Sequence, residues 1–221
     1  MSRPAAEDDD RAKFKDNERY WKRRHKRLGG KLSAVGDVRR SEEENIRLYA
    51  IRRKLVFDVL RGIGLANSLA GSRVLDAGCG IGLFAEIFFI LGAEVIGLDV
   101  SKIALEQAAL RCPGAEFRLA SLTDFEMEGP AFDLTISADV LYHIIDDDNW
   151  AAAVRNLAAH TRRGGFLVIV DHLHDEPQMP SPHVRFRTLA MYRSVLAESG
   201  AVDVTPPNQG GIHAWRFPIG D

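Results

Sequence analysis

The stretch that most constrains this chain is Arg73-Val74-Leu75-Asp76-Ala77-Gly78-Cys79-Gly80-Ile81-Gly82: an apolar run, an acid, then three alternating glycines. Val74 and Leu75 read as a buried strand, and the glycines allow a sharp turn while a ligand approaches bare backbone. Apolar residues resume at Leu83, Phe84 and Ile87 with helical spacing, so the order is strand, glycine turn, helix. The helix start offers unpaired N–H groups to that ligand.

Glycine-rich turns alone are generic, but two details narrow this one. The dinucleotide fingerprint wants Gly-x-Gly-x-x-Gly or Ala, whereas here Gly78, Gly80 and Gly82 alternate and Leu83 stands where the third small residue belongs. Asp76 also puts a carboxylate beside the turn, where a pyrophosphate is repelled and a cationic ligand favoured.

The pattern resembles motif I of the class I S-adenosylmethionine-dependent methyltransferases, acid-x-Gly-x-Gly-x-Gly. That cofactor carries an ammonium and a sulfonium. The resemblance implies an α/β, Rossmann-like, seven-stranded and mostly parallel sheet with one antiparallel strand and helices on both faces. It implies S-adenosylmethionine as cofactor, held by Asp76, Gly78, Cys79, Gly80 and Gly82.

Downstream, Ala93 to Asp99 reads as a second strand ending in an acid 17 residues past Gly82. An α/β nucleotide site places a carboxylate there against two ribose hydroxyls; the alternative is that Asp99 caps the next turn. Val100 then packs on the adenine face, and Ser101 caps a helix through Leu110. A third strand spans Glu116 to Ala120. Where the family often has Gly-Asp-Ala, this chain has Ala120-Ser121-Leu122, so Ser121 or the backbone of Leu122 bonds the adenine amine, with Asp124 as fallback.

Phe132 to Ile144 resembles the family's motif IV, with a strand to about Ser137. Ala138 contacts the methionine part of the cofactor through backbone, and Asp139 by charge. His143 reads either as a helix-face histidine touching the core or as a cleft-edge group that also meets the cofactor and takes or orients the acceptor's proton. Three acids, Asp146 to Asp148, open a helix from Asn149 to Thr161. Gly164 and Gly165 turn into an apolar strand, Phe166 to Asp171. His172 and His174 follow and point the same way if the chain stays extended. They read as loop residues without chemistry or, in the case of His172, as a substrate contact or second candidate base; a divalent-metal site with Asp171 or Asp175 is the lesser reading, and no metal is assigned.

Pro177, Pro180 and Pro182 read as a stiff loop walling the substrate pocket. An apolar helix ending at Gly200 and a terminal hairpin, Val202 to Val204 and His213 to Phe217, match the family's closing pair.

The N-terminal part reads as a disordered tail (1–12), a helical lid (13–62) and then the methyltransferase domain (63–221). Basic residues from Lys13 to Arg27 are interleaved with Phe14, Tyr20 and Trp21. They form a solvated helix face, a lid that brings Tyr20 and Trp21 to the cofactor, or an RNA-contacting arm, which would need a wider basic footprint. Ser41 and Glu44 have capping-box spacing ahead of a helix whose apolar face is Ile46, Leu48, Tyr49, Ile51, Leu55, Val56, Val59 and Leu60. Asn45, Tyr49 and Arg52 read as structural or surface residues, with substrate contact as the alternative.

At 221 residues and 46% hydrophobic content the chain fits one domain with an appendage, and a net charge of −2 gives no global case for a polyanion partner. Two cysteines without metal spacing fit a reduced, cytoplasmic setting, and the start shows no secretory-signal pattern. The most apolar region, Leu83 to Val100, is broken by charges and reads as core rather than a membrane span. The motifs favour methyl transfer to a small molecule, a hydroxyl of a sugar or secondary metabolite. An RNA or protein acceptor, or cofactor binding without catalysis, are the alternatives.

Overall fold

The computed structural model describes residues 17–129, 131–207 and 211–219. The expected tail at 1–12 and the residues Lys13, Phe14 and Lys15 lie outside them.

Helix α1 (Asn17–Leu28) leads through a short 3₁₀ turn (Leu32–Ala34) to α2 (Glu42–Gly62). The capping box forms as the spacing requires: Ser41 Oγ accepts from the Glu44 N–H and Glu44 returns to the Ser41 N–H. The apolar face of α2 is narrower than its composition suggests. Tyr49, Val56, Val59 and Leu60 are buried, but Ile46 and Ile51 are 53% and 58% exposed. They lie on the side of the helix turned away from the sheet, because one helix docked on a sheet can bury only one stripe.

The sheet is built from β1 (Arg73–Ala77), β2 (Glu94–Asp99), β3 (Glu116–Leu119), β4 (Phe132–Ala138), β5 (Thr161–Val170), β8 (Val202–Asp203) and β9 (Ile212–Arg216), in the order β3-β2-β1-β4-β5-β9-β8. β1 to β5 pair parallel, and β9 runs antiparallel to both β5 and β8. Alternation along the strands divides the core. Val74, Val95, Leu134 and Val168 meet α2 and α3 (Leu83–Ile90) on one face. Leu75, Ile96, Leu167 and Trp215 meet α5 (Asp147–His160) and α6 (Leu189–Ala197) on the other. The register shift between Phe132 and Leu134 turns Phe132 to the second face, although Leu134 and Ile136 point to the first. Helix α4 (Lys102–Arg111) packs beside β2 and β3 and is capped by Ser101 as expected.

Two boundaries differ from the sequence reading. β5 begins at Thr161, whose backbone pairs with Phe132, so Gly164 and Gly165 lie inside the strand and not ahead of it. The Pro177 to Pro182 segment is not an irregular loop but half of a small hairpin, β6 (Gln178–Ser181) with β7 (Val184–Phe186). Such a two-stranded unit tolerates proline because it has edges on both sides. Among the described residues, no helix is long and apolar enough to cross a membrane.

Candidate active site

The carboxyl ends of β1, β2, β3 and β4 open into a cavity of about 740 Å³, roofed by α1 and α2 and closed at one side by the β6–β7 hairpin. Gly78 and Gly80 wall it with bare backbone. Gly78 has φ 83°, and a Cβ there would stand 2.5 Å from Val140 of the loop after β4, so only glycine lets the two loops close. Gly82 has another task. It is left-handed at the start of α3, and its bare Cα abuts Ala108 of α4 away from the cavity.

Asp76 also stands outside the cavity wall. It is 1% exposed beneath the turn, and the Ala85 N–H in the first turn of α3 faces it. Burial, and next the nearby Asp99 charge, push its carboxyl up to about 7, while the Ala85 N–H pulls the other way. Asp76 therefore braces the turn and the start of α3 from beneath and does not reach the cavity, contrary to the expected cofactor contact.

Asp99 lies in the wall. Its Oδ2 accepts from the Gly80 N–H at 2.9 Å and its Oδ1 from the Ser101 N–H at 2.8 Å, so the carboxylate locks the glycine turn and keeps free lone pairs for a ligand. The capping role and the ligand role are compatible. Burial raises its carboxyl to about 6. Val100, Ser121 and Leu122 continue the wall, whereas Asp124 is exposed and outside it. Ser121 Oγ is 2.8 Å from Thr123 Oγ1.

At the other end stand Ala138, Asp139 and His143. Asp139 has φ 58°, the one non-glycine positive φ among the described residues. Its Oδ1 is 3.0 Å from Nη2 of Arg52, reaching in from α2, and the same nitrogen donates to His172 Nε2 at 2.9 Å. Asp139 Oδ1 and Arg52 Nε are nonetheless buried without a hydrogen-bond partner, so the pair is close but not aligned. Burial raises the Asp139 carboxyl to about 6, and Arg52 works against that rise.

His143 is 8% exposed, and its Nδ1 donates to the His183 carbonyl at 2.9 Å, which leaves the lone pair on Nε2. Burial lowers it to about 3, so the ring is neutral at neutral pH. Trp21 meets it edge-on at 4.7 Å from α1 and also lines the cavity, but Tyr20 does not; it stacks on His183 at 4.4 Å.

His172 is likewise outside the cavity wall. It and His174 do face the same way, both against Phe186 at 5.2 and 5.0 Å. The Asp171 carboxylate turns inward instead, accepting from Tyr192 Oη and the His172 N–H. No cluster of three or more metal-ligating side chains forms among the described residues.

Sequence reasoning passed over His25 and left Tyr49 open; both line the cavity, as do Met179 and Arg185 of the segment read as its second wall. The signal for His25 was its position four residues after Trp21, hence on the same helix face. Tyr49 and Arg52 share a side of α2 in the same way, but nothing local shows that the side looks into a cleft. Asn45, by contrast, is scaffold: it is fully buried and bonds the backbone of Asp37 at 2.9 and 3.0 Å.

The donor set fits S-adenosylmethionine. An acceptor-only carboxylate at Asp99 suits a ribose diol, Val100 and Leu122 give an apolar slot, and the Asp139 carboxylate in the wall suits a cationic tail. The lining is that of a Rossmann-like fold fitted to a nucleoside with a cationic tail.

Residues 74–165 match the family model described as a methyltransferase domain. The chain is 31% identical over 128 residues to the ubiquinone biosynthesis O-methyltransferase of Mesorhizobium japonicum, covering 56% of this chain and 50% of that protein. It is 38% identical over 107 residues to the enzyme of the same name from Alkalilimnicola ehrlichii, covering 46% and 42%. The chain thus spans about half the length of the curated relatives it matches. Among solved structures, magnesium protoporphyrin IX methyltransferase from Synechocystis PCC 6803 with bound SAM superimposes with TM-score 0.65, at 20% identity, over 99% of this chain and 100% of that one. DesVI of Streptomyces venezuelae superimposes with TM-score 0.57 at 19% identity, over 81% and 99%. At such identities these two show a shared fold. The family model and the curated relatives make residues 74–165 similar to a methyltransferase domain, on the fold that these structures share.

Proposed function

We propose that the chain transfers the methyl group of S-adenosylmethionine to a hydroxyl of a small molecule, such as a sugar or secondary metabolite. The observation that carries this reading is that one cavity joins the donor-side residues Gly78, Gly80 and Asp99 to a neutral His143. The oxygen acceptor is supported by the curated relatives, which are named as O-methyltransferases. A polyanionic acceptor finds less support: among the described residues Arg185 is the one arginine or lysine in the cavity wall, while Lys22, Arg23, Lys26 and Arg27 lie on the exposed side of α1.

The cofactor, when bound, supplies the electrophilic methyl carbon. The chain must align an acceptor oxygen with it, exclude water and receive one proton. Asp99 holds the ribose end. Asp139 faces the ammonium of the methionine end, held from behind by Arg52 outside the cavity wall. Trp21 shields the site from water.

His143 is a weak base, and a weak one suffices. An ether oxygen that bears both the new methyl group and its old proton is strongly acidic, so the proton leaves readily to Nε2. The His183 carbonyl, by holding the Nδ1 proton, fixes which nitrogen is ready.

Calorimetry with S-adenosylhomocysteine and with NAD tests the donor: binding of NAD alone would refute this reading. Methyl transfer from labelled cofactor to a panel of sugars and phenols, beside total RNA and protein, tests the acceptor.

A further inference from the structure

His25 is 1% exposed, lies in the cavity wall and has no hydrogen-bond partner on either ring nitrogen. A buried polar group left unpaired is costly, and nearly all such groups in folded proteins find partners. The ring is nonetheless firmly held. It stacks on Trp21 at 5.5 Å, and the neighbouring Arg24 anchors α1 by donating to the Ser33 and Gly36 carbonyls. Burial, with the Arg24 charge adding to it, lowers the imidazole to about 4, so at neutral pH it offers one N–H and one lone pair.

The course of α1 says which part of the cavity this ring overlooks. Trp21 stands beside His143, at the end of the cavity next to β4. Past the end of the helix, Gly30 abuts Gln107 of α4, and Val35 abuts Gly80. The helix therefore crosses the cleft from β4 toward α4, which it touches, and His25 stands one turn beyond Trp21 along that course.

We propose that His25 hydrogen-bonds the ribose hydroxyls of the bound cofactor from above, opposite Asp99, and so ties the N-terminal helix to the donor; this rests on the cofactor reading above. The chemistry is complementary. Asp99 only accepts, whereas a diol has two donors and two acceptors, and a neutral imidazole supplies the N–H that a carboxylate lacks. Binding would then satisfy a polar group that the ligand-free protein leaves bare.

His25→Phe keeps an aromatic ring on Trp21 and removes both nitrogens. The proposal expects S-adenosylhomocysteine to bind about tenfold more weakly by calorimetry, with His25→Gln recovering part of the loss. The ligand-free melting temperature of His25→Phe should equal or exceed that of the unaltered protein, because the substitution removes an unpaired polar group, while the rise on adding ligand should shrink. A structural histidine would give the opposite, a lower ligand-free melting temperature with unchanged affinity.

2′-Deoxy and 3′-deoxy analogues should lose less affinity in His25→Phe than in the unaltered protein. Equal losses would overturn the ribose assignment, and so would unchanged donor affinity with a raised KM for the acceptor. Should His25→Phe fail to fold, the ring nitrogens of His25 in the unaltered protein decide the matter: their ¹⁵N resonances must shift on saturation with S-adenosylhomocysteine, and no shift overturns the proposal. If the unaltered protein does not bind S-adenosylhomocysteine at all, the cofactor reading fails first.

Discussion

Arg52 of α2 brings its Nη2 to 3.0 Å from Asp139 Oδ1, joining the N-terminal helices to the loop after β4 across 87 residues of sequence. Both side chains are nearly buried, at 12% and 13% exposure, and the carboxyl is already raised to about 6. Removing one partner of such a pair normally costs about 3–5 kcal/mol, but a carboxyl can escape by taking a proton. Each further unit of pKa is about 1.4 kcal/mol, so Arg52→Met should cost about 1–3 kcal/mol at pH 7. In urea titrations the loss should shrink by pH 5, where Asp139 is protonated in either background. Asp139→Asn added to Arg52→Met should recover most of it; no recovery would show that Arg52 acts through packing alone.

The Asp99 carboxylate should govern donor affinity. Its pKa of about 6 in the ligand-free protein comes from burial, and only the ionised form accepts fully from ribose hydroxyls. Affinity for S-adenosylhomocysteine should therefore be flat above pH 7 and fall as pH drops through about 6. Asp99→Asn should bind roughly tenfold more weakly and lose that pH dependence, since about 1.4 kcal/mol corresponds to one such factor. Calorimetry across pH 5–8 reads both effects, and an unchanged pH profile would remove Asp99 from the ribose.

Gly78 tests whether the turn is set by sterics. Alanine there would carry φ 83° and place Cβ 2.5 Å from Val140. Left-handed strain and the clash together should cost about 1–3 kcal/mol, seen as a lower denaturation midpoint, with weakened donor binding. Val140→Ala added to Gly78→Ala should relieve the clash and leave the strain. Gly82→Ala should instead destabilise mainly through its packing on Ala108.

What the sequence showed and what it hid have the same origin. Gly78, Gly80 and Asp99 could be placed at the cavity because each belongs to a short local pattern of strand, turn, then a side chain at the strand's carboxyl end, while Ala138 to His143 were placed there through their resemblance to the family's motif IV. The antiparallel β9 was legible because the terminal hairpin matches the family's closing pair. Arg52 on Asp139, and Tyr49 and His25 in the cavity wall, depend on how α1 and α2 lie across the sheet, which periodicity does not encode. The same limit explains Ile46 and Ile51: their spacing fits a buried stripe, and only docking decides which stripe is covered. The β6–β7 hairpin was masked by its prolines, which mimic a loop.

His143 yields the last prediction, because its stability and catalytic roles pull in opposite directions. Burial holds the folded-state pKa near 3, against an unfolded value near 6.5. The unfolded chain thus binds a proton that the folded protein refuses, so stability contributed by this site is intact above pH 6.5 and is lost as pH falls toward 3. His143→Gln, which keeps a polar group for the His183 carbonyl and does not titrate, should lose less stability between pH 7 and pH 5 than the unaltered protein does in urea titrations. Turnover with the true acceptor should fall roughly 100-fold in the same variant, within the range of a positioned base. If turnover persists while the pH dependence of stability flattens, His143 is a wall of the cavity and the acceptor's proton leaves by another route.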